Sequence, residues 1–290
     1  MLNNLNKVAK DTNFFLKKYL RKKKNSNLLS SMNYGLFSGG KKIRSKILID
    51  VGKIFNIKHN MLIKVGAAAE CIHAYSLIHD DLPCMDNDFV RRGKPSVHIK
   101  FGEATAVLAG NSLLTIAFEI LSDKKFNLNE KIKIKLIKKL SECSGHTGMA
   151  GGQFLDLKFE KKKVPIKKVI DMQLKKTGKL FSFCCAVPAI IAKKNNKIIK
   201  KFENLGLDIG LLFQITDDLI DYRGDSKKVG KKTKKDQEQG KATLISLLGY
   251  RNAVIYGDKL IFNIQKKLKN YGQRSNSLNK TLTYIQKRNK

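Results

Sequence analysis

The sequence predicts an all-α protein, and three observations carry that prediction. Apolar residues recur at helical spacing over long stretches, strict two-residue alternation is scarce, and the 290 residues include only four prolines and no tryptophan. In chain order the helical spacing covers Val65–Asp80, Ala104–Leu121, Ile132–Leu140, Val169–Leu180 and Leu205–Ile220. The first stretch ends where Pro83 forbids a helical N–H bond. The second is apolar over a wide arc and needs more partners than one layer supplies. The fourth runs into Lys176-Thr177-Gly178, and the fifth leads through Gly210, Leu211, Leu212, Phe213 and Ile215 into Asp217. Glycines and polar residues at 145–152 and 224–230 read as punctuation between helices. No Pro-, Ser- or Gly-rich linker divides the chain, so a single domain over 1–290 is expected.

Two acidic clusters interrupt the apolar pattern: Asp80-Asp81-Leu82-Pro83-Cys84-Met85-Asp86 and Asp217-Asp218-Leu219-Ile220-Asp221. In the second, a four-residue step is about one helical turn, so Asp217 and Asp221 share a face. In the first, the backbone must bulge at Pro83, which can turn Asp86 back toward Asp80. Carboxylates this close raise one another's pKa unless a cation neutralises them. Magnesium binds through one or two carboxylates plus substrate phosphates, so two sparse clusters suit it. A lone acidic pair is ordinarily a solvated helix end. Two clusters bordered by apolar residues, in a chain with 24 Asp+Glu against 58 Lys+Arg, point instead to a magnesium–diphosphate site. Cations flank both: Arg91 and Arg92 follow the first, Lys231 and Lys241 follow the second, and Gly39-Gly40-Lys41-Lys42-Ile43-Arg44 and Lys175-Lys176-Thr177-Gly178 add two cationic turns. Arginine offers phosphate a planar fork and lysine a point charge.

The formal net charge of +34 is compatible with nonspecific polyanion binding at low salt. Its distribution argues against a specific nucleic-acid site, because lysine is spread over almost every segment and only eight of the 58 basic residues are arginine. With Asn and Ile also abundant, the composition reads as AT-biased codon usage. Five cysteines without a CxxC pair, and an N-terminus without an apolar core, predict a reducing, cytoplasmic setting. The longest unbroken apolar run, Phe183–Ala192, contains Pro188 and falls short of the ~20 residues of a spanning helix, so no transmembrane segment is expected.

Seven segments together resemble one family. GGKKIR at 39–44, ECIHAYSLIHDD at 70–81, DDLPCMD at 80–86 with RRG at 91–93, GGQFLDL at 151–157, KTGKL at 176–180, FQITDDLID at 213–221 and GKKTKKDQEQGKAT at 230–243 occur in family order and spacing. The chain thereby resembles the bacterial form of the farnesyl diphosphate synthase family of short-chain trans-prenyltransferases. The likeness runs from about residue 35 to 250 and is weak over 251–290. Asn87 and Phe89 stand where relatives extend the acidic run, Lys42 replaces an arginine and Ser45 a proline.

The resemblance implies an isoprenoid-synthase-type helical bundle around a central cavity for diphosphate and Mg2+, with several ions per site and Mn2+ as a substitute. It implies Asp80, Asp86 and Asp217 as direct metal ligands, with Asp81, Asp218 and Asp221 auxiliary. Arg91, Lys176, Lys231 and Lys241 correspond to partners of an allylic diphosphate, and Lys41, Arg44, His73 and Arg92 to the cradle for isopentenyl diphosphate. Thr177 and Gln214 correspond to oxygen dipoles beside the allylic carbon, and Gln153 and Asp156 to nearby pocket residues. His73 lies seven residues, two turns, before Asp80 on the same face; His79 and His98 read as packed histidines and Cys84 as filler. Tyr75 lies five residues or about 7–8 Å before Asp80; by likeness to the family's short-product enzymes it is expected, with Ser76, to form a floor that limits the growing chain, the alternative being a ring that simply packs between helices. The implied reaction is ionisation, condensation and proton loss to a C15 product, in a homodimer. A longer product is the enzyme alternative. A basic noncatalytic subunit is the other, and it has no need of two intact acidic motifs.

Overall fold

The computed structural model describes residues 2–223 and 241–287, and the helical expectation holds. Among the described residues the other regular structure is an antiparallel hairpin of β1 (Val90–Arg91) and β2 (Lys94–Pro95), with Val90 opposite Pro95. The chain divides into two compact units: Met1–Ile49 with Lys58–Ile137, and Asp50–Ile57 with Lys138–Lys290.

In the first unit α1 (Leu2–Leu20), α2 (Asn27–Leu36) and the start of α3 (Ile43–Ile54) precede the long α4 (His59–Asp80). Ser26 caps α2, its side chain accepting Leu29 N–H at 3.1 Å. Along α4, Leu62, Val65, Ala67, Ala68, Ala69, Ile72 and Ile78 are all buried. A helix apolar around its circumference belongs at the centre of its layer. Accordingly α4 packs against α1, α2 and α6 (Glu103–Ser122), with the short α5 (Val97–Phe101) beside α6. Both α4 and α6 are long and apolar enough to cross a membrane by length and composition, with 67% and 44% of their most apolar stretch buried in the protein.

After α7 (Glu130–Ser144), the second unit continues with α8 (Met149–Phe159) and α9 (Ile166–Gln173). The predicted helix over 169–180 is interrupted by a π-helical turn, Leu174–Gly178, before α10 (Lys179–Ile191). The expected punctuation at 145–152 is also revised, since α8 begins at Met149 and takes Gly151 and Gly152 into its body. The stretch 224–230 lies outside the described residues. α11 (Asn196–Arg223) packs against α10, the π-turn and α13 (Tyr250–Leu268), while Val169, Met172, Leu211, Ile215, Leu219, Leu244 and Ala253 form one apolar cluster. The short α12 (Leu244–Leu248) starts with a capping box between Thr243 and Ser246. The C-terminal α14 (Asn276–Lys287) is held by the buried Asp50, whose carboxylate accepts Ser277 Oγ and Thr281 Oγ1, each at 2.6 Å.

Candidate active site

In the first unit α4 delivers the first acidic cluster at its C-terminal end. The helix stops at Asp80, and the chain folds back so that Asp86 N–H bonds Asp80 O at 2.9 Å and Asp88 N–H bonds Asp81 O at 3.1 Å. This is the return that Pro83 requires. Asp80 and Asp86 end half-buried. Asp81 points inward, 2% exposed, and pairs with Arg91, whose Nε donates to Oδ1 at 2.9 Å; Arg91 also reaches Asp88 Oδ2 at 3.1 Å. Burial raises the Asp81 pKa against the opposing pull of Arg91. Arg91, which the resemblance linked to a diphosphate, is here engaged by two carboxylates.

The cationic turn before α3 lies in the same unit. Gly39, Gly40 and Lys42 have φ of 111°, 93° and 48°, and Arg92, itself at φ 54°, donates to Gly39 O. Lys41 is exposed, and Arg44 and Arg92 are half-buried. His73 stands beside them on α4. Burial, then Arg44, Arg92, Lys42 and Arg91, push its pKa well below the ordinary value, so its imidazole is neutral in this cationic field. Two residues on, the Tyr75 ring meets the His79 ring edge-on at 5.7 Å, and His79 Nε2 bonds Val107 O of α6 at 3.1 Å. Burial and then Asp80 push the Tyr75 phenol up to about 12. Ser76 Oγ donates to His73 O at 3.0 Å, an intrahelical bond. His98 is buried beside Phe89, and Cys84 is exposed on the acidic turn.

In the second unit the other cluster sits on α11, with Asp217 half-buried and Asp218 and Asp221 buried. Gln214, one turn earlier, donates Nε2–H to Asp218 Oδ1 at 2.8 Å and accepts Thr177 Oγ1–H at 2.8 Å. Gln173 Nε2 donates to Asp218 Oδ2 at 3.3 Å. Lys176 pairs with the buried Asp156 of α8 at 2.5 Å. Lys176 and Thr177 both ride on the π-helical turn, and π-bulges concentrate at functional sites. Neither amide atom of the buried Gln153 finds a hydrogen-bond partner among the described residues. Lys241 is half-buried ahead of α12, and Lys231 lies outside the described residues. Sequence reasoning missed Gln173; its place one turn before Lys176 and Thr177 was the available signal.

Among the described residues no three His, Cys, Asp or Glu side chains gather as a closed metal cage. The two clusters offer hard carboxylate oxygens, a fit for Mg2+ that completes its shell with water and substrate phosphate.

Residues 25–285 match the Polyprenyl synthetase family. The farnesyl diphosphate synthase of Escherichia coli (strain K12) is 40% identical over 271 residues, covering 92% of this chain and 91% of that protein. An FPP/GFPP synthase structure from Zymomonas mobilis superimposes with a TM-score of 0.88 at 38% identity, covering 98% of each chain. A Helicobacter pylori geranyltransferase, solved with magnesium and isoprenyl diphosphate, gives a TM-score of 0.82 at 32% identity over 97% of this chain and 96% of that one. The helical architecture, both acidic clusters and these likenesses agree, and the chain belongs to the polyprenyl synthetase family.

Proposed function

We propose that this protein condenses isopentenyl diphosphate with dimethylallyl and then geranyl diphosphate, giving (2E,6E)-farnesyl diphosphate and releasing diphosphate. The observation that carries this reading is the first acidic turn, where Asp86 is folded back onto Asp80 and Arg91 reaches Asp81 and Asp88. The match to the E. coli farnesyl diphosphate synthase over nearly its whole length supports the C15 product over a longer one. The family match, 25–285, supports one polyprenyl synthase domain over the chain.

Members of the family use Mg2+ to bind diphosphate. In this reading Asp80, Asp86 and Asp217 hold the ions, with Asp81, Asp218 and Asp221 behind them, and Mn2+ can replace Mg2+. Held there, Mg2+ would supply charge neutralisation to the leaving diphosphate. Arg91, Lys176, Lys231 and Lys241 bind the allylic diphosphate, which requires Arg91 to share its guanidinium with Asp81 and Asp88. Lys41, Arg44, Arg92 and His73 hold isopentenyl diphosphate with its double bond toward the allylic carbon, converting a two-substrate encounter into an intramolecular one. The oxygens of Thr177 and Gln214 stabilise the allylic cation formed when the C–O bond breaks. The new C–C bond forms at that carbon, and the released diphosphate takes the final proton.

The protein acts in the cytoplasm as a homodimer in this reading. Val107 and Leu108 on α6 are 39% and 55% exposed, an apolar face that a second copy would cover. Light scattering that returns a monomer mass under assay conditions rejects the dimer. Chromatography of dephosphorylated products, after incubation with Mg2+, isopentenyl diphosphate and geranyl diphosphate, tests the activity. Farnesol is the expected product; no prenyl alcohol refutes the activity, and C20 or longer refutes the chain length.

A further inference from the structure

The first turn of α3 begins at a residue that cannot cap it. Lys42 O accepts the first helical bond, from Lys46 N–H at 3.0 Å, which makes Lys42 the N-cap. A lysine side chain holds no acceptor for the open amide hydrogens of that turn. Glu70 supplies one from α4: its Oε1 accepts Ser45 N–H at 3.1 Å, and the residue is 2% exposed. Its other oxygen lies 4.0 Å from Lys42 Nζ, which donates to Leu36 O at 3.0 Å, at the end of α2. One buried carboxylate therefore joins the end of α2, the turn through Lys41 and the start of α3 to the central helix.

The approach of α3 to α4 is close here. A Cβ on Gly66, one turn before Glu70, would lie 2.8 Å from Ser45 Oγ and 3.3 Å from Ser45 Cα. The charge balance points the same way. Burial lowers the pKa of both Lys42 and Arg92, and in each case Glu70 is the leading opposing influence. What Glu70 fixes is the backbone that presents Lys41 and Arg44, and through Gly39 the guanidinium of Arg92.

We propose that Glu70 is the positioning residue of the isopentenyl diphosphate cradle, held from two sides by the Ser45 N–H and the Lys42 ammonium. The inference rests on the functional reading above. At 4.0 Å the Lys42 ammonium is beyond hydrogen-bond reach, so the Ser45 N–H is the short contact. An arginine at 42 would offer a planar fork of five donors and could grip the carboxylate without that N–H. The two positions are therefore coupled through Glu70.

A double-mutant cycle tests this, with Michaelis constants for isopentenyl and geranyl diphosphate measured separately. Ser45→Pro deletes the N–H in a first helical turn, where proline is tolerated. It should raise the KM for isopentenyl diphosphate about tenfold, in line with loss of a buried charge-assisted hydrogen bond, and leave that for geranyl diphosphate near wild type. Adding Lys42→Arg should restore it. Glu70→Ala should raise the same KM in every background, and Glu70→Gln, which keeps the acceptor and drops the charge, should fall between. Independent effects of Ser45→Pro and Lys42→Arg, or equal changes in the two constants, overturn the proposal. If Glu70→Ala does not fold, the Ser45→Pro and Lys42→Arg cycle decides alone. If wild-type protein makes no prenyl product, the functional reading falls, and calorimetric affinity for inorganic diphosphate then reads the cycle: a loss in Ser45→Pro regained with Lys42→Arg sustains the role of Glu70, and no such pattern ends it.

Discussion

Gly152 of α8 lies so close to the π-helical turn that a methyl group has no room. A Cβ there would stand 2.1 Å from Lys176 N, 2.5 Å from Lys176 Cα and 2.7 Å from Lys175 C. All three are backbone atoms, so no side chain can rotate out of the way. Ordinary contact begins near 3.4 Å, so Gly152→Ala must part α8 from the turn by 3.4 less 2.1, about 1.3 Å. The shift falls on the Lys176–Asp156 pair at 2.5 Å and on the Thr177–Gln214 bond at 2.8 Å. Overpacking of this kind costs ~1–3 kcal/mol, and each kcal/mol lowers Tm by about 2–4 °C in a domain of this size, so the variant stays folded. A misplacement of ~1 Å costs about 100-fold in rate. The expectation is a kcat for farnesyl diphosphate formation about 100-fold below wild type with a modest fall in Tm. Initial rates at saturating substrates and a thermal melt measure both. Gly257→Ala on α13 is the contrast, because its Cβ would meet Ile215 Cγ2 at an ordinary 3.5 Å and a helix gains up to ~1 kcal/mol from alanine over glycine. A wild-type rate and melt in Gly152→Ala would refute the claim that this contact places Lys176 and Thr177.

Asp80→Ala and Asp217→Ala should each lower turnover by several orders of magnitude, and EDTA should abolish activity until Mg2+ is restored; a near-normal rate in either variant removes the assigned ligands. Tyr75→Ala removes the ring that faces His79 and should extend the product beyond C15, which chromatography of dephosphorylated products reads directly; an unchanged C15 product rejects the floor. Arg92→Ala should weaken isopentenyl diphosphate more than the allylic substrate, and equal changes in the two KM values would dissolve the division into two subsites. His73 is held neutral in the folded protein by burial and four cations, while the unfolded chain protonates it below a pKa of about 6.5. The unfolded state then binds more protons, so stability falls as pH drops from about 6.5 toward the folded pKa, by at most ~1.4 kcal/mol per pH unit, and does not change above that window on this account. His73→Gln should flatten this slope in denaturant titrations, and an unaltered slope sinks the assignment.

The long helices were legible because their apolar residues repeat with the helical period; α4 and α6 were foreseen nearly to their C-termini. The start of α4 at His59 was not, since three of its first six residues, His59, Asn60 and Lys64, are polar and break that signal. Gly151 and Gly152 were read as punctuation because composition does not distinguish a glycine that turns the chain from one that admits a neighbouring backbone. The π-turn was hidden for a related reason. Its altered register is matched to close contacts of Gly152 with Lys176 and of Gly210 with Gly178, and those partners lie far apart in sequence. The fold-back of Asp86 onto Asp80 was legible, because Pro83 excludes continuation of the helix. The capture of Arg91 by Asp81 and Asp88 was not, since spacing fixes which residues are neighbours but not which of several carboxylates turns inward.

The polar chain beneath the second cluster shows what sequence spacing leaves out. Thr177 Oγ1–H donates to Gln214 Oε1, Gln214 Nε2–H donates to Asp218, and Gln173 Nε2–H donates to the same carboxylate. The direction of donation is thereby fixed: protons point from Thr177 toward Asp218, and the Gln214 amide has one orientation that satisfies both neighbours. Hydrogen bonds in series polarise one another, so the negative charge on Asp218 raises electron density on the Thr177 oxygen two links away. That oxygen, with its lone pairs turned from its own donated proton, is suited to face a cation. Asp217, the adjacent residue on α11, is the proposed metal ligand. In the proposed reaction the same turn of one helix would serve the departing anion through Asp217 and, through Asp218 and Gln214, the carbocation left behind. Gln214→Leu would cut the series while keeping a side chain of similar size, so it should depress ionisation of the allylic substrate far more than its binding.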